Sequence, residues 1–204
     1  MIRLTKQSDK NSPQEYDKLF EREPDWQDYR RWKYLLKYFR GGNLVDLGCL
    51  NSRIPGLIKD FWNTSYLGLD QAPEAIGKMN KQYSWAMARF VVGSVYNTKL
   101  KDNSFDYTIL GEVLEHLEEP QKAVEEAFRI LKPNRILAIS VPLEEAIEPG
   151  AVDKERHIWS YTKQDIKNLV KPYAQKTKTK VLRSKWFPKY KYCWPQLLCF
   201  AWKK

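Results

Sequence analysis

Two hydrophobic rhythms follow one another along the chain. In "NSPQEYDKLF", Tyr16, Leu19 and Phe20 share one helical face behind Ser12, Pro13 and Glu15. Those three residues form a capping-box start with proline at the first helical position. Trp26, Tyr29, Trp32, Leu36 and Phe39 then recur every three or four residues, which predicts a second amphipathic helix over 25–39 that Gly41 and Gly42 stop. From Asn43 the period changes. "NLVDLG", "SYLGLD", "ARFVVGSV", "FDYTILGEV" and "RILAISVP" read as short buried strands. "RIPGLIKDFW", "PEAIGKMNKQY" and "PQKAVEEAFRIL" read as helices between them. Such alternation predicts a parallel sheet with right-handed crossovers. "YTKQDIKNLVKPY" predicts one more helix, capped by Thr162 with Asp165 at its third position, and "TKTKVLRSKW" and "QLLCFAW" predict a terminal hairpin. No repeat or linker interrupts 1–204, so a single α/β domain is expected.

Composition narrows the class. A chain of 204 residues, 43% hydrophobic and 29% charged, has the make-up of one soluble globular domain. "MIRLTKQSDK" has no apolar signal region and no run approaches eighteen apolar residues, so neither secretion nor a membrane span is expected. Three cysteines (Cys49, Cys193, Cys199) without a Cys-x-x-Cys pair fit a reduced, cytoplasmic protein with no structural zinc. The net charge of +10 is unevenly spread: from Tyr161 onward, twelve Lys and Arg face one acid, Asp165, while the first 160 residues nearly balance. That asymmetry fits either a polyanionic partner or an edge strand kept soluble by lysine.

Chemistry concentrates at strand ends. "LVDLGCLNSRIP" is a strand, an acid (Asp46) and a turn with a single glycine, Gly48; Leu50 and Ser52 stand where a glycine-rich turn would have its second and third glycines. Leu50 is a poor host for a positive φ, so Asn51 is the expected left-handed residue. Asp70 closes the next strand 24 positions after Asp46, where a carboxylate can accept both hydroxyls of a ribose. Both acids could equally cap turns or helices.

"VDLGC", "YLGLD", "VVGSVYNTKLKDNSFDYTILGEVLEHLEEP" and "RILKPNRILAISVP" together resemble class I S-adenosylmethionine-dependent methyltransferases, most closely the subgroup of ubiquinone and menaquinone biosynthesis enzymes. The likeness runs from about Leu44 to Thr162. It implies a Rossmann-like, seven-stranded, mostly parallel sheet with an antiparallel last strand; the aromatic N-terminal helices over 1–41 are expected to form part of a lid. S-adenosylmethionine is the implied cofactor. Asp46, Gly48 and Cys49 would line its methionine end, Asp70 with Gln71 would meet the ribose, and Ser94 and Val95 would meet the adenine. Leu110, Gly111 and Glu112 would lie under the sulfonium. The family's usual "KPGG" is "KPNR" here, a second loss of glycine.

Methyl transfer is an in-line displacement that needs a base only when the acceptor must lose a proton. Candidates are Glu112 and the two histidines, His116 and His157, each of which could also be an ordinary hydrogen-bonded loop residue. The first expectation is O-methylation of a small molecule without a metal. A second follows from Glu112, Glu115 and His116 at i, i+3, i+4 with His157 across the sheet edge, a set suited to Mn²⁺ or Mg²⁺. That set resembles the metal-dependent enzymes that methylate the 2′-hydroxyl at the 3′ end of small RNAs. The basic, aromatic "KWFPKYKYCW" would then contact nucleic acid. A third is a non-catalytic module that binds cofactor or partner. Sequence leaves the oligomeric state open.

Overall fold

A computed structural model describes residues 1–3, 11–20, 23–143, 157–183 and 195–204. The segment "KWFPKYKYCW" and Cys193 therefore lie outside the described residues. Seven strands form one sheet: β1 (Gly42–Leu47), β2 (Thr64–Asp70), β3 (Ala88–Val92), β4 (Phe105–Gly111), β5 (Leu131–Pro142), β6 (Ala174–Leu182) and β7 (Gln196–Lys203). Their order is β3-β2-β1-β4-β5-β7-β6. β7 runs antiparallel to both neighbours, and the other pairings are parallel. This is the expected mostly parallel α/β sheet. A two-residue ribbon that the sequence did not announce pairs Ile2–Arg3 with Trp159–Ser160.

The central strands are mostly apolar because both faces are covered, with Thr108 and Ser140 as small buried polar exceptions. Alternate residues feed two cores. Val45, Leu47, Leu110, Ile139 and Leu197 pack with α5 (Pro120–Ile130) and α6 (Lys163–Val170) on one side. Leu44, Tyr107, Ile109, Ala138 and Leu198 pack on the other with α2 (Trp26–Leu35) and α4 (Pro73–Gln82). The fully buried Tyr107 keeps its hydroxyl satisfied by donating to the Leu35 carbonyl at 2.6 Å, which pins the end of α2 to β4. α1 (Pro13–Leu19) begins as expected, with Ser12 Oγ accepting from the Glu15 N–H, and buries no residue fully. At α6 the capping box of Thr162 and Asp165 is complete.

Boundaries moved where turns intervened. α3 is only Ile54–Ile58 rather than a ten-residue helix, and β3 stops at Val92 instead of continuing to Val95. The expected strand at Arg135 starts earlier, at Leu131, and is broken by a register shift around Asn134, whose φ is +61°. Asparagine carries that left-handed turn where a glycine was missed.

One polar knot holds the loop after β3 to α5. Glu126 Oε1 accepts from the Thr98 N–H at 2.7 Å and hydroxyl at 2.6 Å, while Arg129 Nε donates to Oε2 at 2.7 Å. Arg129, hydrogen bonded here, lowers the Glu126 carboxyl from 4.5 to about 2. The charged form is thus favoured by folding, so its contribution is complete above about 4.5 and disappears as the pH falls toward 2. Glu126→Gln should cost on the order of 1–2 kcal/mol at pH 7, allowing for solvent screening. The cost should shrink across that acid window in urea titrations.

Candidate functional site

A cleft of about 840 Å³ opens over the carboxyl ends of β1, β2 and β4, and α1 and α2 contribute to its wall. Strands covered on both faces can present polar groups only where they end, and here three such ends meet.

The β1 end is shaped by short backbone contacts. Asp46 is buried, accepts from the Tyr66 hydroxyl at 2.9 Å, and is pushed up to about 6 by burial. Gly48 has φ +79°, and a Cβ there would stand 2.5 Å from Val113 Cγ2. Its N–H and that of Cys49 both donate to the Leu69 carbonyl, at 2.7 and 3.2 Å. Burial raises the Cys49 thiol well above its ordinary value. After Gly48, the second positive φ of the turn falls not on Asn51 but on Leu50, at +34°. Its strain, roughly 1 kcal/mol, is held by a 2.8 Å bond from its N–H to Asp70 Oδ2. Ser52 Oγ accepts from the Ile54 N–H at 3.3 Å and so opens α3 without a glycine.

Asp70 therefore does cap turns. Its Oδ1 also accepts from the Ala72 N–H at 3.0 Å. Each carboxylate oxygen keeps a second lone pair, and burial raises this carboxyl too. Gln71 Nε2 donates to the Asn11 carbonyl at 3.2 Å, tying the residues before α1 to the end of β2. Ser94 and Val95 line the cleft, the former accepting from the Tyr96 N–H at 3.2 Å. Gly111 lines it as well. Leu110 does not: strand alternation turns it, fully buried, into the core beneath α5, so it leaves the candidate set.

Beyond β4 lies a second group. Glu112 takes φ +57°, donates its N–H to the Ser140 carbonyl at 2.9 Å, and accepts from Gln196 Nε2 at 3.3 Å. Burial raises its carboxyl and that of Glu115. Residues 114–116 form a 3-10 turn against the segment 157–161. Three bonds staple the two: Ile158 N–H to Glu115 O at 2.7 Å, Trp159 Nε1 to Leu117 O at 2.7 Å, and Tyr161 hydroxyl to Leu114 O at 3.0 Å. The His116 and His157 rings end 4.8 Å apart at 70°. Glu115 is 1% exposed, neither of its oxygens has a hydrogen-bond partner among the described residues, and His116 Nε2 stands 3.9 Å from Oε1. One ligand atom from each of Glu115, His116 and His157 falls within 4.8 Å of the others; Glu112 is outside that cluster.

Arg31 escaped the sequence reading. It lines the cleft from α2, paired with Asp28 at 2.9 Å, and its Nε has no partner among the described residues. Helical periodicity marked its neighbour Trp32 as inward and gave no reason to prefer Arg31 over Arg30. Among the described lining residues Arg31 is the one guanidinium, facing seven carboxylates: Asp25, Asp28, Asp46, Asp70, Glu112, Glu115 and Glu118. A basic chain thus encloses an acidic cleft.

Comparison with known proteins agrees with this layout. Residues 45–139 match the family described as a methyltransferase domain. An uncharacterized methyltransferase of Schizosaccharomyces pombe is 32% identical over 111 residues, 49% of this chain and 40% of that one. A probable S-adenosylmethionine-dependent methyltransferase of Mycolicibacterium smegmatis is 27% identical over 110 residues, 54% of this chain and 42% of that one. The chain thus matches about two fifths of the length of each relative. In fold it is similar to a chain of the Haloferax volcanii complex between the Trm112 methyltransferase activator and a methyltransferase, with a TM-score of 0.73 and 18% identity over 93% of this chain and 98% of that one. Among the described residues no helix is long and apolar enough to cross a membrane.

Gly48→Ala tests the turn. The added methyl meets both a left-handed backbone and Val113, so urea denaturation should register a loss of roughly 2–4 kcal/mol. An unchanged midpoint would mean that the turn has another shape.

Proposed function

We propose, from the premise that the chain carries a class I S-adenosylmethionine-dependent methyltransferase domain, that it methylates a hydroxyl of a small-molecule acceptor. The observation that carries this reading is the pair of imidazoles, 4.8 Å apart beside a buried carboxylate, just beyond β4 in the cleft that the β1 and β2 ends also line. S-adenosylmethionine supplies a methyl group on a positively charged sulfur, with a ribose diol and an amino-acid end. The residues present fit it. Asp70 has lone pairs to spare for a diol. Gly48 leaves room where a Cβ would collide with Val113. Seven carboxylates suit a cationic ligand, and Arg31 would pair with its one carboxylate.

On the acceptor side, Tyr16, Leu19, Trp32 and Leu35 give the cleft an apolar wall that suits a flat or hydrophobic molecule. His116 or His157 would take the hydroxyl proton, and Glu115 would stabilise the imidazolium so formed. Glu112, held by Gln196 and by its own backbone bond to Ser140, would orient the acceptor rather than exchange protons.

A second reading draws on the same three side chains. Glu115, His116 and His157 could hold a divalent cation, which would lower the pKa of a ribose hydroxyl at an RNA 3′ end.

Calorimetry and methyl transfer separate these readings. Asp70→Ala should weaken S-adenosylhomocysteine binding at least about a hundredfold; unaltered affinity would remove Asp70 from the ribose. His116→Ala and His157→Ala should lower transfer to phenolic or sugar hydroxyls about 10²–10⁴-fold while leaving cofactor affinity in place. Activity that EDTA abolishes and Mn²⁺ restores would move the assignment to the metal reading. Tight cofactor binding without transfer to either acceptor class would leave a binding module.

A further inference from the structure

The far edge of the sheet gathers cations from two parts of the chain about 150 residues apart. On β6, Lys176, Lys178 and Lys180 alternate with Thr177, Thr179 and Val181, so the three ammonium groups project from one face of the edge strand. They lie over a row of rings: Lys176 Nζ is 5.3 Å from the Trp202 centroid, Lys178 Nζ 5.5 Å from Tyr38, and Lys180 Nζ 4.1 Å from Tyr34. Two of those rings hold a second cation. Lys37 Nζ is 5.3 Å from Tyr38 and Arg30 Cζ is 5.9 Å from Tyr34. Arg30 Nη1 also donates to the Arg183 carbonyl at 3.1 Å, fastening α2 to the end of β6.

The one acid on these elements, Asp28 of α2, is buried and pairs with Arg31 at 2.9 Å rather than with any of these charges. Residues 29–40, 174–183 and 195–204 contain neither Asp nor Glu. None of the five cations is ion-paired with a described residue. The Tyr34 phenol is drawn below its ordinary value, first by hydrogen bonding from Lys180 and then by the charges of Lys180 and Arg30. Lysines on an edge strand can serve simply to block pairing with another sheet. That role does not account for Arg30 and Lys37, which sit on the helical side and are brought against like charge on shared rings.

We propose that this strip binds a single-stranded nucleic acid along its phosphate backbone. Alternate strand residues put successive lysines about 6.6–6.8 Å apart, comparable with the step between phosphates in an extended strand. The cations form a line rather than a cluster, which favours a linear polyanion over a single anionic group. The line also leads to the cleft. Leu182, at its end, pairs with Gln196, which bonds Glu112, and Arg31 on the adjoining helix lines the same cavity. The inference is independent of which hydroxyl is methylated.

The test is fluorescence anisotropy of the full chain with a labelled single-stranded RNA of about twelve mixed nucleotides, over a salt series. The K176Q/K178Q/K180Q variant should lose affinity about tenfold or more, and its log–log salt slope should fall by about 2, the value for three released phosphate contacts on a single strand. A K59Q/K101Q/K171Q variant removes the same charge elsewhere and should keep the slope of the unaltered chain. Equal losses in both variants, or none in the first, would overturn the proposal. So would binding to phosphatidylserine vesicles but not to RNA. S-adenosylhomocysteine titration of each variant checks that the cleft is intact, and its failure in the unaltered chain would count against the cofactor assignment without touching the RNA result.

Discussion

A sheet covered on both faces has nowhere but its strand ends to display polar chemistry, and this constraint organises the molecule. Leu44 and Val45, or Leu197 and Leu198, enter opposite cores from adjacent positions, so a polar group between them would be stranded. Asp46, Asp70 and Glu112 come at or just beyond the ends of β1, β2 and β4. All three carboxyls are raised by burial, which marks a cavity short of positive charge rather than a set of finished ion pairs.

Keeping those groups in place requires backbone that prefers other conformations. Leu50 and Glu112 both adopt positive φ without being glycine. Each is held by a hydrogen bond from its own N–H, to Asp70 and to the Ser140 carbonyl respectively. Strain of this kind persists only where the surroundings over-determine it, and it clusters at sites that bind. The histidine pair depends on the same logic at longer range. His157 reaches His116 because Ile158, Trp159 and Tyr161 bond the turn at 114–117, and a pair so held is positioned before any acceptor arrives.

Charge divides the protein a second way. The cleft is acidic and suits a cationic cofactor, while Arg30, Lys37 and the three lysines of β6 line up at the far edge of the sheet. Such a division keeps the electrostatics of the cleft apart from those of the proposed nucleic-acid strip.

The alternation of short apolar runs with amphipathic helices was enough to foresee the doubly covered sheet, since period and length are local properties of the chain. Asp46, Gly48 and Asp70 were legible for the same reason: each sits at a fixed offset from a strand end. What lies across the fold was not. The inward turn of Leu110 depends on strand phase, the shift of the left-handed position from Asn51 to Leu50 depends on a carboxylate twenty residues away, and the reach of Arg31 depends on how α2 lies against β4. The basic C-terminal quarter was plain as a count. That its lysines share rings with Arg30 and Lys37 was decided only by tertiary packing, because pairing across about 150 residues leaves no periodic trace in the chain.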